Sequence, residues 1–187
     1  MFPWLHSLQL LTKKRAKKLL IVFLMAFTAD ALADDATASN ADIDPCVSDS
    51  SDLGDSAAWA VRAITQYADG QHQAAVTTVD ACFDIWAPEA GQSQKAMFDA
   101  GEKCPRTGRV SKKTKANIQE NYLMNDVSMA LWAKARSLHE LGDIELAKEA
   151  YGQCVYMACG RAWDPKGWFW SPAEDCAKFA RKLLKAS

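Results

Sequence analysis

Apolar residues recur at helical spacing in two stretches of this chain, and in each the stripe is interrupted by a glycine and then resumes. Residues 125–151 read NDVSMALWAKARSLHELGDIELAKEAY, with the turn Leu141-Gly142-Asp143 between two amphipathic segments. This periodicity predicts an antiparallel helical hairpin. Farther upstream, Ser56 stands where a helix cap is expected, and Ala57, Ala58, Trp59, Val61, Ala63 and Ile64 form a stripe that ends at Asp69-Gly70. A second helix is predicted over residues 71–86, carrying Ala75, Val76, Val79 and Cys82, with Pro88 expected to stop it.

The two hairpins fall into register when one is slid by 72 positions. Ala63 then meets Ala135, Gly70 meets Gly142, Ala75 meets Ala147, Val79 meets Tyr151 and Cys82 meets Cys154. Small residues let two backbones approach, a glycine makes the turn, and an apolar residue fills the gap between pairs. The rival explanation is chance, since Ala-rich hairpins slide easily into partial register. The same shift lays Cys104 on Cys176, each 22 residues after the cysteine of its own hairpin. It suggests bridges Cys82–Cys104 and Cys154–Cys176, leaving Cys46 for Cys159. Six cysteines allow 15 pairings, and Cys159–Cys176 is the rival for the C-terminal bridge.

Between the hairpins, residues 87–115 are expected to be irregular, with a short helix at 93–101, and a long helix is expected from about residue 114 to 141. Gly160 is expected to end the following helix, with turns at Asp164-Pro165 and Gly167. Ser171-Pro172-Ala173-Glu174 has both a capping box and a proline in the first turn. The helix it opens has an apolar face of Ala177, Phe179, Ala180, Leu183 and Leu184, suited to covering the open end of a helical stack. Trp163, Trp168, Phe169 and Trp170 form the densest aromatic cluster. Alternation predicts that Trp168 and Trp170 pack inward while Phe169 and Trp163 are exposed.

Composition places the chain in a compartment. Lys13, Lys14, Arg15, Lys17 and Lys18 precede an apolar run and then Ala31-Leu32-Ala33, the pattern of a secretory signal peptide over residues 1–33. The apolar run is too short to argue for a membrane span. Residues 34–55 hold seven aspartates and no basic residue, which predicts a flexible acidic leader tied down at Cys46. Residues 56–187 then form the helical domain. Five of the 22 basic residues and one of the 23 acidic ones lie in the first 33, leaving 17 against 22 and a net charge of −5. That balance argues against general nucleic-acid binding. All six cysteines, Cys46, Cys82, Cys104, Cys154, Cys159 and Cys176, follow the signal, an even count that suits disulfides in a periplasmic or secreted protein.

The small, Gly, small and aromatic positions Ala135, Gly142, Ala147 and Tyr151, with Cys154 after them, resemble a tetratricopeptide (TPR) repeat. With WDPKGWFW the resemblance spans residues 125–185 and points to TPR-containing bacterial envelope proteins. Leu131 and Lys134 depart from the repeat's usual Trp and Leu. The resemblance implies an all-α fold of antiparallel hairpins in a short TPR-like stack, stapled by disulfides and closed by a C-terminal capping helix. It also implies a binding role without catalysis.

Candidate chemistry follows. No hydrolase elbow, phosphate loop, zinc-protease motif or Cys-x-x-Cys occurs, so neither an enzyme nor a cofactor or metal is expected. His72 and His139 read as solvated positions. A concave face lined by the first helix of each hairpin would offer Arg62, Gln66, Asn125, Lys134 and Glu140 to a peptide or protein partner, with Trp163 and Phe169 as aromatic anchors. Lys103, Arg106, Arg109, Lys112, Lys113 and Lys115 make a basic loop in an acidic protein. It suits an acidic partner or an anionic envelope polymer, or is simply a solvated loop attracted to the acidic leader. The sequence thus suggests an exported binding or assembly module for a protein or peptide partner. The alternative is an inhibitor or immunity-type protein that grips a cell-wall enzyme through a protruding loop.

Overall fold

One helix is buried nearly all round its circumference, and the rest of the chain wraps it. In the computed structural model, which describes residues 44–186, this is α4, Tyr122–Leu141, with twelve buried residues. Its apolar residues are spread round the helix and its buried polar ones are small or hydrogen-bonded, so it can be covered on several sides. Here α1 (Asp55–Ala68), α2 (His72–Asp99), α5 (Ile144–Tyr156) and α6 (Pro172–Ala186) all pack against it. Ser128, Ala130, Ala133, Ala135 and Ser137 are fully buried along it, small enough to admit neighbours from several directions. The protein is all-α with disulfides. Besides α3 (Lys112–Glu120), the described residues contain one small sheet, β1 (Ala162–Asp164) antiparallel to β2 (Trp168–Trp170).

Both expected hairpins form. Gly70 and Gly142 take left-handed φ angles of 76° and 83°. At each, the next residue's N–H reaches back five positions, Gln71 to Gln66 at 2.8 Å and Asp143 to Leu138 at 3.0 Å, satisfying a terminal carbonyl. The positions aligned by the 72-residue shift are buried in matching pairs: Ala63 and Ala135, Ala75 and Ala147, Val79 and Tyr151, Cys82 and Cys154 are each 0% exposed. Trp59 seals the first hairpin, donating its indole N–H to the Thr78 carbonyl at 2.8 Å.

Several elements differ from expectation. Pro88 does not stop α2, which continues to Asp99. A proline removes only the bond to the carbonyl four residues back. That carbonyl belongs to Asp84, which is exposed like Pro88 itself, while Ala90 and Gln94 beyond it are buried. The expected helix at 93–101 is the end of α2. Ser56 is not a cap either: Gly54 is, and the Ser56 hydroxyl is buried against Asp126. The expected long helix splits into α3 and α4 at Asn121, whose amide donates to the Asn117 carbonyl at 2.9 Å. Asn125 does the same for Ile118 at 2.6 Å. Finally, α5 ends at Tyr156, before Gly160.

The extra length of α2 decides the disulfides. Cys82 lies about 25 Å of helix from Asp99 at 1.5 Å per residue, and a bridge needs Cα atoms within about 7 Å. Cys104 therefore cannot pair with Cys82. The bridges are Cys46–Cys82, Cys104–Cys159 and Cys154–Cys176, with no free cysteine. Of the expected pairs only Cys154–Cys176 forms, and it ties α5 to α6. Cys46 pins the acidic segment to α2, with Arg62 Nη1 donating to the Pro45 carbonyl at 3.0 Å. The expected signal peptide and the first part of the expected leader lie outside the described residues. Among those described, no helix is long and apolar enough to cross a membrane.

Asp126 is a buried carboxylate in this core, accepting from Ser56 Oγ at 2.7 Å. Burial pushes its pKa up to about 6, with the Ser56 bond opposing the shift. The raised value favours the protonated form in the folded state, so its contribution is fully present below pH 3.8 and is lost as pH rises through about 6. On this account stability falls by about 2 kcal/mol between pH 4 and pH 7. Asp126→Asn, which keeps an acceptor for Ser56, is expected to raise the melting temperature at pH 7.5 and flatten that slope. Thermal melts of both proteins across this range check it.

Candidate binding face

After Gly101, which ends α2 at φ 65°, the chain leaves the core carrying the basic loop. Cys104–Cys159 anchors its start to the turn after α5. The buried side chain of Gln94 holds that turn, its Oε1 accepting from Cys159 N–H at 2.8 Å. Arg161 is buried and knits three carbonyls together: Nε donates to Pro105 at 2.8 Å, and Nη1 to Ala158 at 2.9 Å and Gly160 at 2.7 Å. Burial lowers its pKa, opposed by the charge of Glu174.

The loop then joins the sheet. Gly108, at φ 86°, donates to the Phe169 carbonyl at 2.7 Å and accepts from Phe169 N–H at 3.0 Å. Ser111 caps α3 by accepting from Thr114 N–H at 3.2 Å. This orients α3 so that Lys115 Nζ sits 4.7 Å from the centre of the Trp163 ring, a cation–π contact. Trp163 leans on Phe169 with ring centres 4.8 Å apart. Two candidates that the sequence suggests separately, the basic loop and the aromatic segment, therefore form one face.

Comparison of the chain with protein-family models, with curated proteins and with solved structures finds no match. What the face can do must be read from its own chemistry. Lys103, Arg106, Arg109, Lys112 and Lys113 are exposed. Among the described residues, neither they nor Lys115 forms an ion pair. Trp163 is 47% exposed beside them.

The aromatic strand alternates, but its burial is the reverse of the expectation: Phe169 is buried, and Trp168 and Trp170 are half-buried. Trp170 turns toward α4 and meets Trp132 edge-on at 5.4 Å. Phe169 turns the other way but is only 4% exposed, because the Gly108 segment and Trp163 cover it. It is a support for Trp163 and has no free surface for a partner.

The proposed concave face is not assembled. Asn125 is buried, its Oδ1 accepting from Arg161 N–H at 2.8 Å. Lys134 pairs with Asp80 across helices, and Glu140 with Arg136 at 3.6 Å. Arg62 holds the acidic segment, and Gln66 is half-buried. The cause is α4 itself, which its neighbours enclose. His139 is also no solvated residue: its Nδ1 lies 3.0 Å from the buried Tyr151 hydroxyl. Sequence reading missed Arg161 as the organiser of the face, although a lone arginine between Gly160 and Ala162, two residues after Cys159, was a usable signal. It also missed an apolar groove of about 360 Å³, floored by Val127 and Leu131 and walled by Phe83, Ala87, Gly152 and Tyr156.

Proposed function

We propose that this chain is an exported, non-catalytic binding module that recognises a protein partner in the cell envelope through the basic and aromatic face. The observation that carries this reading is the position of Lys115 over Trp163, within a set of cations that lack ion pairs, on a loop anchored by Cys104–Cys159 and Gly108. Rigid loops lose little entropy on binding, and an exposed indole supplies contact area. The three bridges fit an oxidising compartment. A periplasmic or secreted location and a TPR-like relation between the hairpins belong to the same proposal. The matched burial of the residues aligned by the 72-residue shift supports that relation. A loop this firmly anchored also suits the inhibitor reading, in which the partner is a cell-wall enzyme and binding blocks its turnover.

The test is capture from envelope extract by the oxidised protein and by a variant carrying Lys112→Glu, Lys113→Glu and Trp163→Ala. The variant is expected to bind the captured partner about thirtyfold more weakly, a loss of roughly 2 kcal/mol, while staying folded with a melting temperature lowered by a few degrees through the Trp163 contact with Phe169. Wild-type affinity should fall as salt rises. A partner held equally by both proteins would place the binding surface elsewhere. Loss of the partner's own hydrolytic activity on binding would select the inhibitor reading.

A further inference from the structure

The edge of β1 at Trp163 has unused backbone groups. Trp163 stands opposite Phe169 in the sheet, yet Phe169 gives both its N–H and its C=O to Gly108 on the far side. In an antiparallel ladder these groups alternate in direction from residue to residue. The N–H and C=O of Trp163 therefore point away from β2, along the outer edge of β1. Two residues earlier on that edge, Arg161 N–H is taken by Asn125. Two residues later, Pro165 has no N–H to offer. Among the described residues, no hydrogen bond from that side reaches the Trp163 backbone.

We propose that an extended, acidic segment of the partner adds as a strand at this edge, exchanging two backbone hydrogen bonds with Trp163 and laying its carboxylates on the neighbouring cations. This rests on the reading that the face binds a protein partner. The other side of the sheet already shows the mode, since Gly108 joins β2 through one such residue pair. One pair sets register and direction, while the charges supply attraction and rate. Lys112, Lys113 and Arg109 are exposed on the same segment as Lys115, which touches the Trp163 ring. A polypeptide matches this edge where a polysaccharide does not, because only the polypeptide presents an amide donor and a carbonyl acceptor at strand spacing.

The experiment titrates the isotope-labelled, oxidised protein with poly-L-glutamate and, separately, with polygalacturonate. Hydrogen exchange is followed at the Trp163 amide. Poly-L-glutamate is expected to bind at low salt and to slow exchange of that amide about tenfold. Trp163→Ala should weaken binding but keep the protection, since the backbone remains. Lys112→Glu with Lys113→Glu should lose both. Poly-L-glutamate binding that leaves the Trp163 amide unchanged would overturn strand addition while leaving the face as the binding surface. Binding of polygalacturonate alone would overturn the peptide class. Binding of neither would overturn this inference and the proposed function together.

Discussion

Replacing Cys104 and Cys159 by serine is expected to cost the oxidised protein about 4 kcal/mol and to release the basic loop from the fold. The bridge spans 55 residues, and the chain-entropy model assigns a closure of that size roughly this much. Its position adds a second effect. The loop start is otherwise held by the Arg161 bond to the Pro105 carbonyl and by the Gly108 pair, both of which presuppose a fixed loop. Without the bridge, Lys115 and Trp163 should separate, and binding through the face should weaken even at temperatures where the helices persist. The control is Cys154→Ser with Cys176→Ser. That bridge closes 22 residues between α5 and α6, is expected to cost about 3 kcal/mol, and touches no part of the loop. Denaturant midpoints give the two stability losses, and partner affinity well below each midpoint gives the functional one. Equal affinity in the two variants would mean that the face does not depend on its anchor.

The parts of this fold that could be read from the sequence are those with local causes. Gly70 and Gly142 mark helix ends because the left-handed conformation there is nearly reserved for glycine. The stripe of Ala63, Ala75, Ala135 and Ala147 predicted close packing, and all four are fully buried. Ser171 opens α6 as its neighbours suggest, accepting from Glu174 N–H at 3.2 Å. The misreadings have a common source in distance. Whether Pro88 ends α2 depends on Ala90 and Gln94 finding a core against other segments, which no local rule contains. That one error propagates to the bridges, because a longer α2 carries Cys104 out of reach of Cys82. Asn125 looked like an exposed polar residue, yet its amide serves both the Ile118 carbonyl and Arg161 N–H. As for the face, its two halves were visible separately as charge and as aromatic content. Their union depends on Gly108 pairing with a strand some sixty residues away, and neither segment encodes that pairing alone.

The backbone that carries this face meets the core closely at Gly160, and Gly160→Ala is expected to cost about 3 kcal/mol or to prevent folding. A Cβ added there would lie 2.4 Å from Ser128 Oγ, 2.5 Å from Ser128 Cβ and 3.2 Å from the Met124 carbonyl oxygen. A hydroxyl can rotate away, but a Cβ and a helix carbonyl cannot, so relief requires moving β1 off α4. Such a shift would stretch the Asn125 bond to Arg161 and pull Trp170 from Trp132. Overpacking of this kind typically costs 1–3 kcal/mol, and the loss of a buried bond adds about 1 kcal/mol. Backbone conformation plays no part, since Gly160 is not among the glycines with positive φ. Steric origin can therefore be tested directly. Ser128→Gly alone should cost about 1 kcal/mol as a glycine within a helix, yet in the Gly160→Ala background it should restore stability, giving a favourable coupling above 1 kcal/mol. Gly152→Ala is the reference: it is helical and exposed with nothing within 4 Å of its added Cβ, and it should stabilise by up to about 1 kcal/mol. Urea midpoints for the four variants decide the matter. If Gly160→Ala were no worse than Gly152→Ala, β1 would not approach α4 this closely, and the support beneath the binding face would have to be sought elsewhere.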